Sequence, residues 1–133
     1  MRTKTVYKVV YNSRVIRYNR TCNLMSCSLN NYLLYYEIGQ TAIPKIGKIF
    51  VFDTIEKATD FWYNNQYMVL EGTGTNPYKP KFVCSSSSSC DIKRFWEMKK
   101  NKKSVEGSCP MNPIKGTLLV DSFTPIKIVR NMI

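Results

Sequence analysis

Basic and aromatic side chains occur together in three parts of this chain, and they are the residues best suited to bind a ligand. Arginines surround Tyr11 and Tyr18, and lysines and arginines recur next to Tyr78 and Phe95. Arginine forks bind phosphate oxygens through paired hydrogen bonds, and aromatic rings stack on bases for about 1–3 kcal/mol each. The pattern predicts a site for a phosphate-bearing, nucleotide-like anion. The residues predicted to contact it are Arg14, Arg17, Arg20, Lys81, Phe82, Arg94 and Trp96.

A simpler interpretation places Phe82, Phe95 and Trp96 in the core and leaves the lysines on a solvated surface. The basic run at residues 99–103 is then the end of a helix, where positive charge interacts favourably with the helix dipole. This run supplies only four of the 20 Lys and Arg, so the basic character of the chain does not depend on it.

The charge balance favours binding over catalysis. The 133 residues carry a net charge of +11 and include no histidine. A strongly basic surface attracts nucleotides, nucleic acid and acidic partners. The absence of histidine removes the commonest general base and the commonest metal ligand.

No set of residues forms a recognisable catalytic motif, and we predict neither catalytic residues nor a cofactor. Residues 72–75 (Gly-Thr-Gly-Thr) follow a predicted strand, as a phosphate-binding loop would, but no Gly-Lys-Ser/Thr follows them. They are interpreted as a phosphate contact or as a simple turn. The carboxylates of Asp53, Glu56 and Asp60 are explained by helix capping and solubility.

Glu71 is the one further carboxylate that could act in catalysis. The order of the predicted elements resembles that of ADP-ribosyltransferase-like folds, in which a glutamate on a late strand contacts the ribose. The resemblance implies this role for Glu71, although the usual histidine partner cannot exist here.

The five cysteines are expected to be reduced and to bind no metal. An odd number without a secretion signal is atypical of a disulfide framework, and a zinc site would need four thiolates. The spacings from Cys22 to Cys27 and from Cys84 to Cys90 are wider than the usual zinc knuckle.

The length and hydropathy pattern predict one domain over residues 1–133. No apolar run approaches the ~20 residues of a membrane span, and the first residues lack the apolar block of a signal peptide. We therefore expect no membrane partner and a cytoplasmic location.

The clearest predicted unit is a strand, a short helix and a second strand. The strand at 48–52 is followed by Asp53 as the helix N-cap, and Ile55, Ala58, Phe61 and Trp62 form one apolar face. The helix covers about 54–64 and the next strand 67–72, with a loop at 73–80. Further strands are predicted at 5–11 with a hairpin partner at 15–18, at 32–38, at 116–121 and, after a break at Thr124–Pro125, at 126–129.

A second short helix is predicted where Ile92, Phe95 and Trp96 share a face. Pro44 excludes a central strand around it. These elements give an α+β fold, with a mostly antiparallel sheet of five to seven strands and two short helices. A small, partly open β-barrel carrying the same helices is the alternative.

Two segments carry a resemblance to a known family: Gly47-Lys48-Ile49-Phe50-Val51-Phe52-Asp53 and Gly116-Thr117-Leu118-Leu119-Val120-Asp121. They resemble small proteins of phages and large DNA viruses, and among these the first class of Thoeris anti-defence proteins. This resemblance implies a non-enzymatic sponge that sequesters nucleotide immune signals and assembles as dimers or higher oligomers. It also implies a site of arginines and one stacking aromatic, for which Phe82 and its basic neighbours are the candidates.

Three functions follow from the sequence, in order of preference. The first is a non-catalytic homo-oligomer that binds a nucleotide-derived signal in the host cytoplasm and so counteracts host immune signalling. The second is a basic, nucleic-acid-binding viral accessory protein. The third is an ADP-ribosyltransferase-like enzyme that uses Glu71.

Overall fold

The computed structural model describes residues 1–12, 24–25, 34–60, 67–80, 83–84, 96–97, 110–111 and 115–131. Within these residues the chain forms nine strands and one helix, and every strand pairing is antiparallel. The elements are β1 (Thr3–Asn12), β2 (Leu24–Met25), β3 (Tyr35–Tyr36), β4 (Ile49–Phe52), α1 (Ile55–Asp60), β5 (Tyr67–Thr75), β6 (Val83–Cys84), β7 (Pro110–Met111), β8 (Thr117–Val120) and β9 (Phe123–Asn131).

The main sheet has seven strands, and β1 lies at its centre. Strand β1 pairs along its length with β5, and on its other edge with β4 and β2. Strand β4 pairs with β8 and strand β5 with β9, while only Asp121 and Ser122 separate β8 from β9. The strand order across the sheet is therefore β9-β5-β1-β4-β8, with β2 and β3 continuing from the end of β1. The predicted α+β fold with a mostly antiparallel sheet is confirmed.

One face of the main sheet, which we call its inner face, holds the main hydrophobic core. Successive strand residues point to opposite faces, so every second residue can be buried there. The ring of Tyr36 meets the ring of Phe123 edge-on, with centroids 5.9 Å apart. The fully or nearly fully buried residues of this core are Val6, Val10, Tyr36, Ala42, Ile49, Val51, Met68, Leu70, Leu118, Val120 and Phe123.

The predicted strand–helix–strand unit is present as β4, α1 and β5, whereas residues 61–66, with Phe61 and Trp62 of the predicted apolar face, lie outside the described part. The prediction of Asp53 as the N-cap is wrong. Thr54, not Asp53, caps α1, because its Oγ1 accepts a hydrogen bond from the backbone N–H of Lys57 at 3.2 Å. One Asp53 carboxylate oxygen is buried without a hydrogen-bond partner among the described residues. Ala58 of the helix packs on Val9, Phe52 and Val69 on the outer face of the sheet.

The prediction that a loop starts at residue 73 is also wrong. Strand β5 continues to Thr75, so residues 72–75 form neither a phosphate-binding loop nor a turn. A Cβ on Gly72 would lie 2.3 Å from the carbonyl oxygen of Thr124, and one on Gly74 would lie 2.6 Å from Cγ1 of Val120. Glycine fits these two strand positions because the Thr124 carbonyl and the Val120 side chain leave no room for a Cβ.

The break predicted at Thr124–Pro125 does not occur, since β9 runs through both residues. Pro125 pairs with Gly72 and Lys127 with Glu71, so Ile126 is an extra residue at a register shift. A bulge tolerates proline because a regular ladder hydrogen bond is not required there. The predicted strands at 116–121 and 126–129 are thus present, as β8 and the C-terminal part of β9.

Other predicted elements are shorter or lie outside the described residues. Of the strand predicted at 32–38, only Tyr35–Tyr36 is a strand within residues 34–38, Ile38 lies in a turn, and residues 32–33 are outside the described part. Pro44 lies outside any strand, as predicted. Trp96 and Glu97 are helical, whereas residues 92–95 and the hairpin partner at 15–18 are outside the described part. In the described part no helix is long and apolar enough to cross a membrane.

Candidate functional site

A cluster of aromatic and charged side chains lies on the outer face of strands β4 and β8, and we call it the aromatic–lysine cluster. Its members are Lys48, Phe50, Tyr78, Trp96 and Asp121. Ile49 and Val51 point into the main core, so Phe50 between them points outward. It pairs across the sheet with Leu119, and both pack with Trp96 and Tyr78.

Trp96 forms the apolar base of this cluster. Its side chain is buried, with 8% of its surface exposed, and its ring centroid lies 5.8 Å from that of Phe50. A Cβ on Gly47 would lie 2.1 Å from Trp96 Cδ2, so the indole packs directly on the glycine backbone. Gly47 also has a φ of +64°, a conformation that glycine adopts most readily.

Tyr78 and Lys48 form the polar side of the cluster. Backbone hydrogen bonds in both directions tie Tyr78 to Leu119. The Lys48 ammonium lies 5.7 Å from the centroid of the Tyr78 ring, within the range of a cation–π contact. Burial raises the pKa of Tyr78 above its ordinary value, and Lys48 partly opposes this shift.

Asp121 neutralises Lys48 and connects it to the loop after β5. Its carboxylate accepts a hydrogen bond from Lys48 and, at 2.7 Å, another from the amide of Asn76. These bonds hold the pKa of Asp121 below its ordinary value. The Arg2 guanidinium donates to the carbonyl of Pro77 at 2.7 Å, which brings a further cation to the same loop.

The structure describes one of the seven predicted ligand residues. Trp96 lies in the cluster, where little of its ring is exposed, and its contact with a ligand stays a prediction. The other six are outside the described residues: Arg14, Arg17, Arg20, Lys81, Phe82 and Arg94.

Sequence reasoning missed Lys48, Asn76 and Asp121 as members of a site. Lys48 and Asp121 are separated by 73 positions, and Asn76 and Asp121 by 45. No local spacing connects residues this far apart. The alternation of Lys48 with Ile49 was a weak signal, because it places Lys48 on the face opposite the core.

A second polar group lies on the outer face where β1, β5 and β9 are neighbours. The Tyr7 hydroxyl donates to Glu71 Oε1 at 3.2 Å, and Lys127 Nζ lies 3.5 Å from Glu71 Oε2. Burial, and then the hydrogen bond to Glu71, raise the pKa of Tyr7. Glu71, the predicted candidate for catalysis, is thus held by a tyrosine and a lysine.

Comparison with known proteins finds no family model, curated protein or solved structure that matches the chain. In the part of the chain that the structure describes, no three Cys, Asp and Glu side chains lie close enough to hold a metal ion. The geometry of the aromatic–lysine cluster and the charge of the chain are therefore the features that bear on function.

Proposed function

We propose that this protein is a non-catalytic binder of a nucleotide-like anion and that the ligand binds beside the aromatic–lysine cluster. The observation that carries the proposal is the position of the Lys48 ammonium against the Tyr78 ring, next to Phe50 and Trp96. A cation adjoining aromatic surface suits a ligand that has both a phosphate and a base.

Three predicted ligand residues are close to this cluster in the sequence. Lys81 and Phe82 follow the buried Pro80 directly, and Arg94 precedes Trp96 by two positions. Lys79 is exposed beside Tyr78 in the chain. In this proposal Arg94 and Lys81 bind the phosphates, Phe82 stacks on the base, and Trp96 supports the site from below.

The biological role that fits such binding is sequestration of a nucleotide-derived immune signal. In the proposal the protein acts in the host cytoplasm as a viral sponge of the Thoeris anti-defence type, and copies of the chain assemble to enclose the ligand. No bond of the ligand is broken, which agrees with the absence of histidine from the chain.

The second candidate is a nucleic-acid-binding accessory protein, which the net charge of +11 favours. Such binding sums many phosphate contacts and weakens steeply with added salt. A compact pocket depends instead on a few specific side chains, so substitutions can distinguish the two functions.

The test compares two lysines that each contact a carboxylate. Lys48→Gln removes the cluster's cation, and Lys127→Gln removes an equal charge from the Tyr7–Glu71 group. We expect Lys48→Gln to weaken binding of a cyclic nucleotide about tenfold in isothermal titration, as loss of a charge-assisted bond does. Lys127→Gln should leave binding unchanged. Equal weakening by both variants would favour binding through overall charge.

Phe82→Ala and Arg94→Ala extend the test to predicted ligand residues. Each should abolish nucleotide binding while circular dichroism shows a folded protein. Replacing Lys99, Lys100, Lys102 and Lys103 together by Ala should have little effect. If this quadruple change removes binding and the single changes do not, the result supports the nucleic-acid-binding function over nucleotide binding at a compact site.

A further inference from the structure

The carboxylate of Asp121 is the negative group of the aromatic–lysine cluster, and part of it is exposed to solvent. Its side chain is 39% exposed and that of Lys48 is 33% exposed, so a ligand beside the cluster can reach both. The backbone N–H of Asp121 donates to the carbonyl of Thr75 at 2.9 Å, which fixes the residue against the end of β5. The carboxylate is therefore both accessible and held in place.

Asn76 orients one oxygen of this carboxylate. Its amide nitrogen donates to Asp121 Oδ2 at 2.7 Å, and its amide oxygen accepts a hydrogen bond from the backbone N–H of Arg2 at 3.3 Å. The backbone N–H of Asn76 donates in turn to the carbonyl of Arg2 at 2.8 Å. Bonds on both sides thus fix the direction of the amide. The acceptor that it holds is preorganised before any ligand binds.

Asp121 keeps hydrogen-bonding capacity beyond these contacts. An ionised carboxylate can accept about four hydrogen bonds. Lys48 donates to Oδ1 and Asn76 to Oδ2, and no other residue in the described part of the chain donates to either oxygen. The ammonium of Lys48 and the amide of Asn76 also carry more N–H groups than these two bonds use. Open acceptors and donors therefore lie side by side.

A hydroxyl group is the neutral ligand group that fits this mixture, since it donates one hydrogen bond and accepts others. The 2′-hydroxyl of ribose is such a group, and a carboxylate binds it in dinucleotide-binding folds. A phosphate placed directly at Asp121 is disfavoured, because the carboxylate repels it and already neutralises Lys48. A ribose therefore suits this part of the cluster better than a phosphate does.

We propose that Asp121 selects a ribonucleotide by accepting a hydrogen bond from the 2′-hydroxyl of its ribose. This inference rests on the proposed function, because it names the sugar of the nucleotide-like anion that binds beside the aromatic–lysine cluster. The Lys48 ammonium donates to the oxygen of the same hydroxyl, while other cations of the chain bind the phosphate. A deoxyribonucleotide lacks this hydroxyl, and a site built to bind a hydroxyl rejects the analogue without it.

The first test uses the wild-type protein and three ligands in isothermal titration: 3′,5′-cyclic AMP, its 2′-deoxy analogue and its 2′-deoxy-2′-fluoro analogue. We expect each analogue to bind about tenfold more weakly than the ribonucleotide, because neither donates a hydrogen bond to the carboxylate. Equal binding of all three would overturn the role of Asp121 and leave the proposed function standing. Binding of none would overturn both. Full binding of the fluoro analogue alone would also overturn the proposed hydrogen bond.

The second test repeats the three titrations on Asp121→Asn, with Asp60→Asn as the control. Asp60 is exposed at the end of α1, so its substitution removes the same charge away from the cluster. Asp121→Asn should bring the three affinities within about threefold of one another, whereas Asp60→Asn should keep the preference for the ribonucleotide. If Asp121 had only a structural role, its substitution would weaken all three ligands by the same factor. An unchanged preference in Asp121→Asn, or its loss in both variants, would overturn the proposal.

Discussion

Asp121 partly neutralises the positive charge of Lys48 in the aromatic–lysine cluster. Its carboxylate accepts hydrogen bonds from Lys48 and from Asn76, and so connects β4 with the loop after β5. A phosphate arriving at Lys48 would compete with this carboxylate. The residue therefore contributes to stability and also limits the affinity of the site for anions.

The stability contribution of Asp121 should depend on pH. Its pKa is lowered in the folded protein from an ordinary value of 3.8, so the ionised form stabilises the fold. This contribution is present above about pH 4 and is lost as the pH falls through the lowered pKa. Asp121→Asn should reduce the free energy of unfolding by at most about 1 kcal/mol at pH 7, because the ion pair is partly exposed.

Urea unfolding of both proteins at pH 7 and at pH 3 measures this difference. The difference in the free energy of unfolding between wild type and Asp121→Asn should be smaller at pH 3 than at pH 7. A difference that is unchanged or larger at pH 3 would contradict stabilisation of the fold by the ionised Asp121 carboxylate.

Gly47 should be among the residues least tolerant of substitution. Gly47→Ala introduces a Cβ at a φ of +64° and into the Trp96 indole, whereas Gly39→Ala has a φ of +87° and no atom within 4 Å. Gly39→Ala therefore measures the backbone cost alone, about 1–2 kcal/mol. We expect Gly47→Ala to cost about 1–3 kcal/mol more, from overpacking. Thermal unfolding and tryptophan fluorescence measure both, and equal costs would contradict the packing of Trp96.

At the level of elements, the start of α1 differs from its prediction by one residue, and this difference can be tested. Thr54→Ala removes the observed cap and should destabilise the protein by about 1 kcal/mol. Asp53→Ala should cost less, because one of its carboxylate oxygens is buried without a hydrogen-bond partner. Chemical denaturation measures the loss in free energy of unfolding for each variant. A larger loss for Asp53→Ala than for Thr54→Ala would contradict the assignment of Thr54 as the cap.

The elements predicted correctly are those whose signals are local. The compact apolar run of β4 and the start of the helix that contains Ala58 lie within a few residues of each other, and both are present in the structure. The extension of β5 beyond Gly72 to Thr75 was not predictable, since it depends on pairing with β1 and β9 and on Val120 packing against Gly74. Pro125 was misread for a similar reason: its place in β9 depends on a bulge opposite β5.

For the molecule as a whole, the sequence leads to a predicted class of ligand, a nucleotide-like anion, but not to the cluster beside which we propose that it binds. The basic charge and the number of aromatic residues are evident from the composition. Trp96 was predicted as a ligand residue because basic and aromatic residues lie next to it in the sequence. The Lys48–Asp121 pair depends on β4 and the end of β8 being adjacent in the folded sheet. Such adjacency arises from the pairing of β4 with β8, strands far apart in the sequence, which no local pattern specifies.

Nucleotide binding by a compact site is the central claim, and its salt dependence tests it most directly. The affinities of the wild-type protein for a cyclic nucleotide and for a long single-stranded DNA are measured over a series of salt concentrations. We expect saturable nucleotide binding that changes little with salt and is stronger than DNA binding under near-physiological conditions. No nucleotide binding, together with DNA affinity that falls steeply with salt as many phosphate contacts require, would contradict the claim.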